Sequence, residues 1–383
     1  MEELLNRGVE RLYPSREALA ERLSRGPLRL YWGIDPTGPD LHLGHLAMLL
    51  KLRDFQTAGH QVILVIGDFT ARIGDPTDKL AARRQLSAAE VKANFKTYRR
   101  QLGRFLNLRQ TEVMYNSRWL GKLNAASLLV LAAQFTVSQL SERDMFRSRL
   151  DRGEPVYVHE FFYPLLQAYD SWHLAVDLEL GGNDQTFNML MGRDLQKNHG
   201  QEKFVMALKL LTDGSGKKMG KTDGNMARLN DGPAAIYGQI MSWPDERLAV
   251  ALELLTRLTS AEREAVLIMP PRDAKMRLAR EVVALTAGAT RARVAEREWQ
   301  RAFQQHGLPA DVLKLNVRPG VQLGDVLVTA GVVKSKSEWR RLVTAGAVEE
   351  ISGTKIADPN HSLISPLELK IGKKRFAQIT LKA

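Results

Sequence analysis

The chain has 383 residues, with 55 Lys and Arg against 43 Asp and Glu, a formal net charge of +12. Its apolar content of 44% sustains buried cores and excludes wholesale disorder, and the absence of Cys removes disulfide scaffolds, thiolate zinc sites and thiol nucleophiles together. There is no signal-peptide apolar run at the N-terminus and no stretch of about 18 apolar residues, so the expectation is a soluble, cytoplasmic protein of two or three domains with an anionic partner and no membrane span.

In chain order, Leu28–Trp32, Val62–Ile66 and Val176–Leu180 read as strands, and Leu43–Thr57, Ala88–Leu106 and Ala125–Leu140 as helices. Strands separated by long helical stretches imply crossover connections, hence an α/β domain over residues 1–225 built on a parallel sheet. Residues 226–315 show no convincing strand and read as helices punctuated by Ser242-Trp243-Pro244 and Met269-Pro270-Pro271. From about Val321 the chain is compact and basic: Lys314–Ala383 holds 12 Lys and Arg against 6 Asp and Glu, half of the whole excess. Three zones follow, 1–225, 226–320 and 321–383.

Three segments carry chemistry. In Tyr31-Trp32-Gly33-Ile34-Asp35-Pro36-Thr37-Gly38-Pro39-Asp40-Leu41-His42-Leu43-Gly44-His45 an apolar strand enters a Gly/Pro turn and then a helix. Such a turn aims unpaired N–H groups and the positive helix end above the sheet. His42 and His45 share one helical face there, and Gly44 between them lets a ligand approach the backbone. A lone His in this position would most often cap or pack; the pair after a Gly/Pro turn favours a phosphate site. Zinc is disfavoured, because no third ligand is evident. The second segment, Gly67–Lys79 followed by Arg83, leaves the end of a strand, where open parallel sheets bind ligands. It is a solvated turn or, with its glycines and acids, an ammonium site. The third, Asp213–Asn225, packs four glycines and three lysines into a basic loop suited to closing over a polyphosphate; it is not a Walker A loop.

His42-Leu43-Gly44-His45 resembles the HIGH signature of class I aminoacyl-tRNA synthetases, and Lys218-Met219-Gly220-Lys221-Thr222 resembles their KMSKS signature with Gly and Thr in place of the serines. Tyr163-Pro164-Leu165-Leu166-Gln167-Ala168-Tyr169-Asp170, Gly181-Gly182-Asn183-Asp184-Gln185 and Ile73-Gly74-Asp75-Pro76-Thr77 resemble the corresponding stretches of bacterial-type tyrosyl-tRNA synthetases. Independently of the resemblance, Tyr163, Gln167 and Asp170 are spaced i, i+4, i+7 and share one helical face. Apolar neighbours favour burial of that face, and a buried polar stripe needs partners.

The resemblance implies a Rossmann-like catalytic domain with a dimerisation insertion, a helical anticodon-arm domain and a small α+β S4-like RNA-binding domain. It implies activation of L-tyrosine with ATP and Mg²⁺, transfer to tRNA(Tyr), and a homodimer joined within residues 115–160. Tyr31, Asp35, Asp75, Tyr163, Gln167, Asp170 and Gln185 would hold the amino acid, with Asp75, Tyr163 and Gln167 on the ammonium, Asp170 and Tyr31 on the phenol, and Gln185 on the carboxylate. Gly33, His42, Gly44, His45, Gly182, Asp184, Lys218 and Lys221 would hold ATP. Thr37, His42, His45, Lys79, Arg83, Lys218 and Lys221 would stabilise the departing pyrophosphate; no residue is expected to hold a metal of its own. Lys334, Lys336, Arg340, Arg341, Lys373 and Lys374 would meet RNA. The rival readings are a non-catalytic RNA-binding protein on the same fold, which would be expected to lose these side chains, and a tryptophan-specific relative, which would not be expected to carry the Tyr163/Gln167/Asp170 pattern.

Overall fold

The computed structural model describes residues 2–76, 86–141, 144–212, 227–303, 312–351, 354–372 and 375–382. The chain divides into two compact units, Met1–Val282 and Val283–Ala383.

The first unit is built on a six-stranded sheet of β1 (Val9–Tyr13), β2 (Arg29–Ile34), β3 (Gln61–Ile66), β4 (Thr111–Tyr115), β5 (Leu178–Gly182) and β6 (Phe204–Leu208). Their spatial order is β1-β6-β5-β2-β3-β4. All neighbours run parallel except β1, which lies antiparallel on β6. Helices cover both faces, so the inner strands are apolar on both sides: five of the six residues of β3 are buried. The chain leaves β2 in one direction, through β3 and β4, then returns to build β5 and β6 on the other side. The point of reversal lies between β2 and β5, where open α/β sheets hold ligands outside the strands' carboxyl ends. These two strands pair only at Leu30–Leu178 and Tyr31–Glu179, whereas β2 and β3 stay in register from Arg29 to Ile34. The sheet therefore opens at the reversal.

The predicted helix Leu43–Thr57 forms with those bounds. Ala88–Leu106 instead makes two helices, Ala88–Phe95 and Tyr98–Leu102, and Ala125–Leu140 becomes Ala125–Ala132 and Val137–Ser141. The second break is written in Thr136-Val137-Ser138-Gln139. Gln139 Oε1 accepts from Thr136 N at 2.8 Å and Thr136 Oγ1 from Gln139 N at 3.1 Å, a capping box that starts a new helix. Strand β5 begins two residues later than predicted and ends two residues later, running through Gly181 and Gly182.

In the second unit, β7 (Leu313–Val317), β8 (Val348–Glu350), β9 (Leu367–Ile371) and β10 (Arg375–Leu381) form a sheet in the order β7-β10-β9-β8. The helices Leu323–Thr329 and Lys336–Thr344 pack on it through Leu323, Leu327, Trp339 and Val343. Strand β7 precedes the basic zone and escapes the sequence pattern: it is an edge strand with no fully buried residue.

Candidate active site

The turn after β2 is built by side chains from elsewhere. His42 is the N-cap of Leu43–Thr57: its Nδ1 accepts from Gly44 N at 3.1 Å, and His45 Nδ1 accepts from His42 N at 3.1 Å. The rings lie 3.8 Å apart between centroids. With Nδ1 accepting, a neutral ring carries its proton on Nε2, so capping sets the tautomer of both imidazoles. The carbonyls of the turn are held by a polar stripe at 94, 97, 98 and 101. Asn94 donates to Pro36 O at 2.9 Å, Thr97 to Pro39 O, Tyr98 to Gly38 O at 2.9 Å, and Gln101 Nε2 to Pro39 O at 2.9 Å while its Oε1 accepts from Leu41 N. This i, i+3, i+4, i+7 spacing is the signal that sequence reading passed over. The backbone of 227–229 then joins the turn: Leu43 N donates to Ala227 O at 3.1 Å and Leu229 N to Leu41 O at 2.7 Å. The chain thus re-enters the described structure beside His42 directly after the lysine-rich loop. Lys218 and Lys221 themselves, like Lys79 and Arg83, lie outside the described residues.

The helix Val158–Leu174 brings Tyr163, Gln167 and Asp170 to one face, as their spacing predicts, with Tyr163 and Asp170 buried. Two polar networks run through them. In the first, Tyr163 Oη donates to Asp35 Oδ2 at 2.9 Å, Thr70 Oγ1 to Asp35 Oδ1 at 2.8 Å, and Asn116 Nδ2 to both Thr70 Oγ1 and Asp170 Oδ2 at 3.1 Å. Trp119 Nε1 donates to Asp170 Oδ1 at 2.7 Å. Burial pushes the Asp170 carboxyl up to about 8, against the pull of the Asn116 and Trp119 hydrogen bonds. Gly67 makes room for this set: a Cβ there would fall 1.9 Å from Asp35 Oδ1 and 2.4 Å from Thr70 Oγ1.

In the second network, Gln185 Nε2 donates to Asp75 Oδ2 at 2.6 Å, and Asn188 Nδ2 donates at 3.0 Å to both Gln185 Oε1 and Gln167 Oε1. Gln167 Nε2 donates to Glu179 Oε1 at 2.9 Å and Tyr31 Oη to the same oxygen at 2.6 Å. Lys203 closes the chain on Glu179 Oε2. Burial and the neighbouring Glu179 carboxylate push the Tyr31 phenol well above its usual range.

Sequence reading set Tyr31 and Asp170 together on the phenol of the ligand; here the hydroxyl proton of Tyr31 goes to Glu179. Likewise, the Gln185 amide meets Asp75 here. Gly33 within β2 and Thr37 beyond it are exposed, Gly44 and Asp184 are half-buried, and a Cβ on Gly182 would fall 2.4 Å from Asp184 Oδ1. Thr70, Asn116, Trp119, Glu179, Asn188 and Lys203 were missed. Only Glu179 was signalled, as a charge within an apolar inner strand. In the second unit, Lys334, Lys336, Arg340 and Arg341 are all exposed, with Lys336 paired to Asp325 at 2.7 Å; Lys373 and Lys374 lie outside the described residues. Among the described residues no three His, Asp or Glu side chains converge as a metal cage, and no helix is long and apolar enough to cross a membrane.

Residues 23–304 match the family model of class I tRNA synthetases (W and Y). The chain is 46% identical to the tyrosine–tRNA ligase of Moorella thermoacetica over 98% of its own length and 94% of the relative's. It is 43% identical to that of Aquifex aeolicus over 95% and 94%. Among solved structures, a C-terminally truncated mitochondrial tyrosyl-tRNA synthetase of Coccidioides posadasii superposes with a TM-score of 0.64 at 25% identity, covering 77% of this chain and 90% of that one. The Archaeoglobus fulgidus tyrosyl-tRNA synthetase complexed with L-tyrosine shares the fold, with a TM-score of 0.60 at 20% identity over 77% of this chain and 98% of that one. A parallel sheet reversing between β2 and β5, a capped His pair at its mouth and near full-length likeness to these relatives lead to one family: the chain belongs to the class I aminoacyl-tRNA synthetases, in their bacterial-type tyrosyl branch.

Proposed function

We infer that this chain is a tyrosine–tRNA ligase: it activates L-tyrosine with ATP to tyrosyl-adenylate and pyrophosphate, then transfers tyrosine to the 3′-terminal adenosine of tRNA(Tyr). The observation that carries the reading is the pair of polar networks on the face of Val158–Leu174, the first ending at the buried carboxyl of Asp170 and the second at Glu179. The one proton of a ligand phenol would be shared between Asp170 and the acceptor oxygen of Tyr31. Phenylalanine would offer Asp170 no donor and leave a buried polar group one hydrogen bond short beyond those from Asn116 and Trp119, and this supports discrimination on the order of 10⁴–10⁵ without editing. Asp75, Tyr163 and Gln167 offer oxygens to the ammonium, Asp35 orients Tyr163, and Gln185 meets the carboxylate once the ligand competes with Asp75.

The tyrosine carboxylate is already ionised. Its oxygen attacks the α-phosphorus of ATP, the bond to the β-phosphate oxygen breaks, and pyrophosphate leaves with the electron pair. No general base is needed, so the task of the chain is positioning and charge stabilisation. Thr37 and the Nε2–H groups of His42 and His45 act from the helix side; Gly33, Gly44, Gly182 and Asp184 bound the nucleoside. Lys79, Arg83, Lys218 and Lys221 would join them, and the anchoring of residues 227–229 on the His42 turn supports the last two. Mg²⁺ would arrive with ATP, held by its phosphates. In the second step a ribose hydroxyl of the tRNA end attacks the adenylate carbonyl and AMP leaves.

The division into a catalytic domain (1–225), a helical anticodon-arm domain (226–320) and an S4-like domain (321–383) is part of the proposal. Exposed Lys334, Lys336, Arg340 and Arg341, with Lys373 and Lys374, would contact the RNA backbone. We place the protein in the cytoplasm as a homodimer. Large apolar side chains support the dimer: Leu129, Val130, Val137 and Val158 are 71%, 66%, 75% and 73% exposed, far beyond what an isolated surface residue needs. The test of activation is amino-acid-dependent ATP–pyrophosphate exchange with each of the twenty amino acids. Tyrosine alone should sustain it; tryptophan in its place, or no exchange at all, would overturn the reading.

A further inference from the structure

Glu179 is a carboxylate at the point where β2 and β5 part, inside a strand otherwise made of Leu and Gly. It is 2% exposed and takes three donors: Tyr31 Oη at 2.6 Å and Gln167 Nε2 at 2.9 Å on Oε1, and Lys203 Nζ on Oε2. Lys203 is fully buried, and its other two protons go to Ser171 Oγ at 3.0 Å and Met189 O at 3.1 Å. All three ammonium donors are used, so Lys203 can reach no ligand. Gly192 leaves the space for its head: a Cβ there would fall 2.4 Å from Nζ and 2.5 Å from Ser171 Oγ. A buried ion pair of this kind is a costly way to gain stability, and its best-supported use is to fix a geometry.

The geometry it fixes is one of hydrogen-bond direction. A hydroxyl has one proton, and that of Tyr31 goes to Glu179, so toward the cleft Tyr31 Oη can only accept. Gln167 gives its amide N–H to Glu179, which turns its carbonyl oxygen toward Asn188 at 3.0 Å and leaves that end an acceptor. We propose that Glu179, paired with Lys203, is the positioning residue that makes the amino-acid pocket a set of acceptors, selecting a ligand with a hydrogen-bond donor at the para position of its ring.

The proposal rests on the tyrosine reading and deepens it. The first test uses the wild-type chain in ATP–pyrophosphate exchange with two near-isosteric phenylalanines. 4-Aminophenylalanine, whose ring substituent donates, should exceed 4-fluorophenylalanine, whose substituent only accepts, by at least about tenfold in kcat/KM. Equal values would overturn the proposal, while loss of tyrosine-dependent exchange in the wild type would overturn the underlying function instead. The second test is Glu179→Gln. Lys203 would hold the carbonyl of the new amide, so its N–H₂ would face Tyr31 and Gln167 and reverse both. The KM for tyrosine should rise at least about tenfold, the amino/fluoro preference should collapse, and the KM for ATP should stay within about twofold. Adding Lys203→Met frees the amide to turn back, its N–H₂ now meeting Ser171 Oγ and Met189 O. The double variant should therefore recover part of the preference that E179Q loses, a non-additive pattern that simple loss of packing would not produce. An E179Q chain that keeps the wild-type preference, or a double variant worse than E179Q, would overturn the assignment. Should either variant fail to fold, Tyr31→Phe decides, since it removes the acceptor that Glu179 orients and leaves Asp170 in place: it should lose part of the amino/fluoro preference, and a variant that keeps all of it would overturn the assignment.

Discussion

Asp170 shows how burial and function meet in one side chain. Its oxygens accept from Trp119 and Asn116, yet burial dominates and raises the carboxyl to about 8. In the unfolded chain an Asp titrates near ~3.9. Between these values the folded state binds the extra proton, so the contribution of Asp170 to stability is complete below the unfolded value and is lost as pH rises through the folded one. Asp170→Asn removes that term: the fall in Tm between pH 5 and 8 should be shallower in the variant than in the wild type, measured by calorimetry at a series of pH values. An unchanged slope would mean that Asp170 does not titrate in this window. The face carrying Asp170 was legible because i, i+4, i+7 spacing is a property of any helix. Its partners were not: Asn116 just after β4, Trp119 in the short helix Ser117–Leu120, and Lys203, which donates to Ser171 and Glu179, come from segments that the local pattern does not link to it.

At the scale of the element, the helix Leu43–Thr57 was readable to the residue, since a Gly/Pro turn precedes it and an apolar run too long for a strand fills it. The capping function of His42 and His45 proved to be real, and it coexists with the proposed phosphate role. The two can be separated. His42→Asn with His45→Gln keeps a good N-cap and an N3 side chain able to close the capping box. The double variant should hold its Tm within about 2 °C of wild type while the rate of adenylate formation in single turnover falls by about a hundredfold or more. An unaltered rate would leave the pair only its structural role. The helix break at Thr136 carried a readable capping signature, whereas β7 had little burial to announce it.

For the whole molecule, the charge excess has two proposed destinations: the pyrophosphate of ATP beside the His42 turn, and RNA at the exposed basic side chains of the second unit. Fold class, motif order and the pocket face could be read from sequence, because each depends on short-range pattern. Sheet order, the parting of β2 from β5 and the pairing of Tyr31 with Glu179, 148 positions apart, depend on contacts that no local pattern links. The central claim is that one chain performs both half-reactions, with the basic unit serving only the second. The most direct measurement is tyrosine charging of tRNA(Tyr) by the full chain and by a chain ending at residue 312, ahead of β7, with ATP–pyrophosphate exchange recorded on both. The account predicts that the full chain charges tRNA with tyrosine and that the shortened chain retains exchange but loses charging. A full chain that activates tyrosine without esterifying tRNA, or a shortened chain that charges as well as the full one, would contradict it.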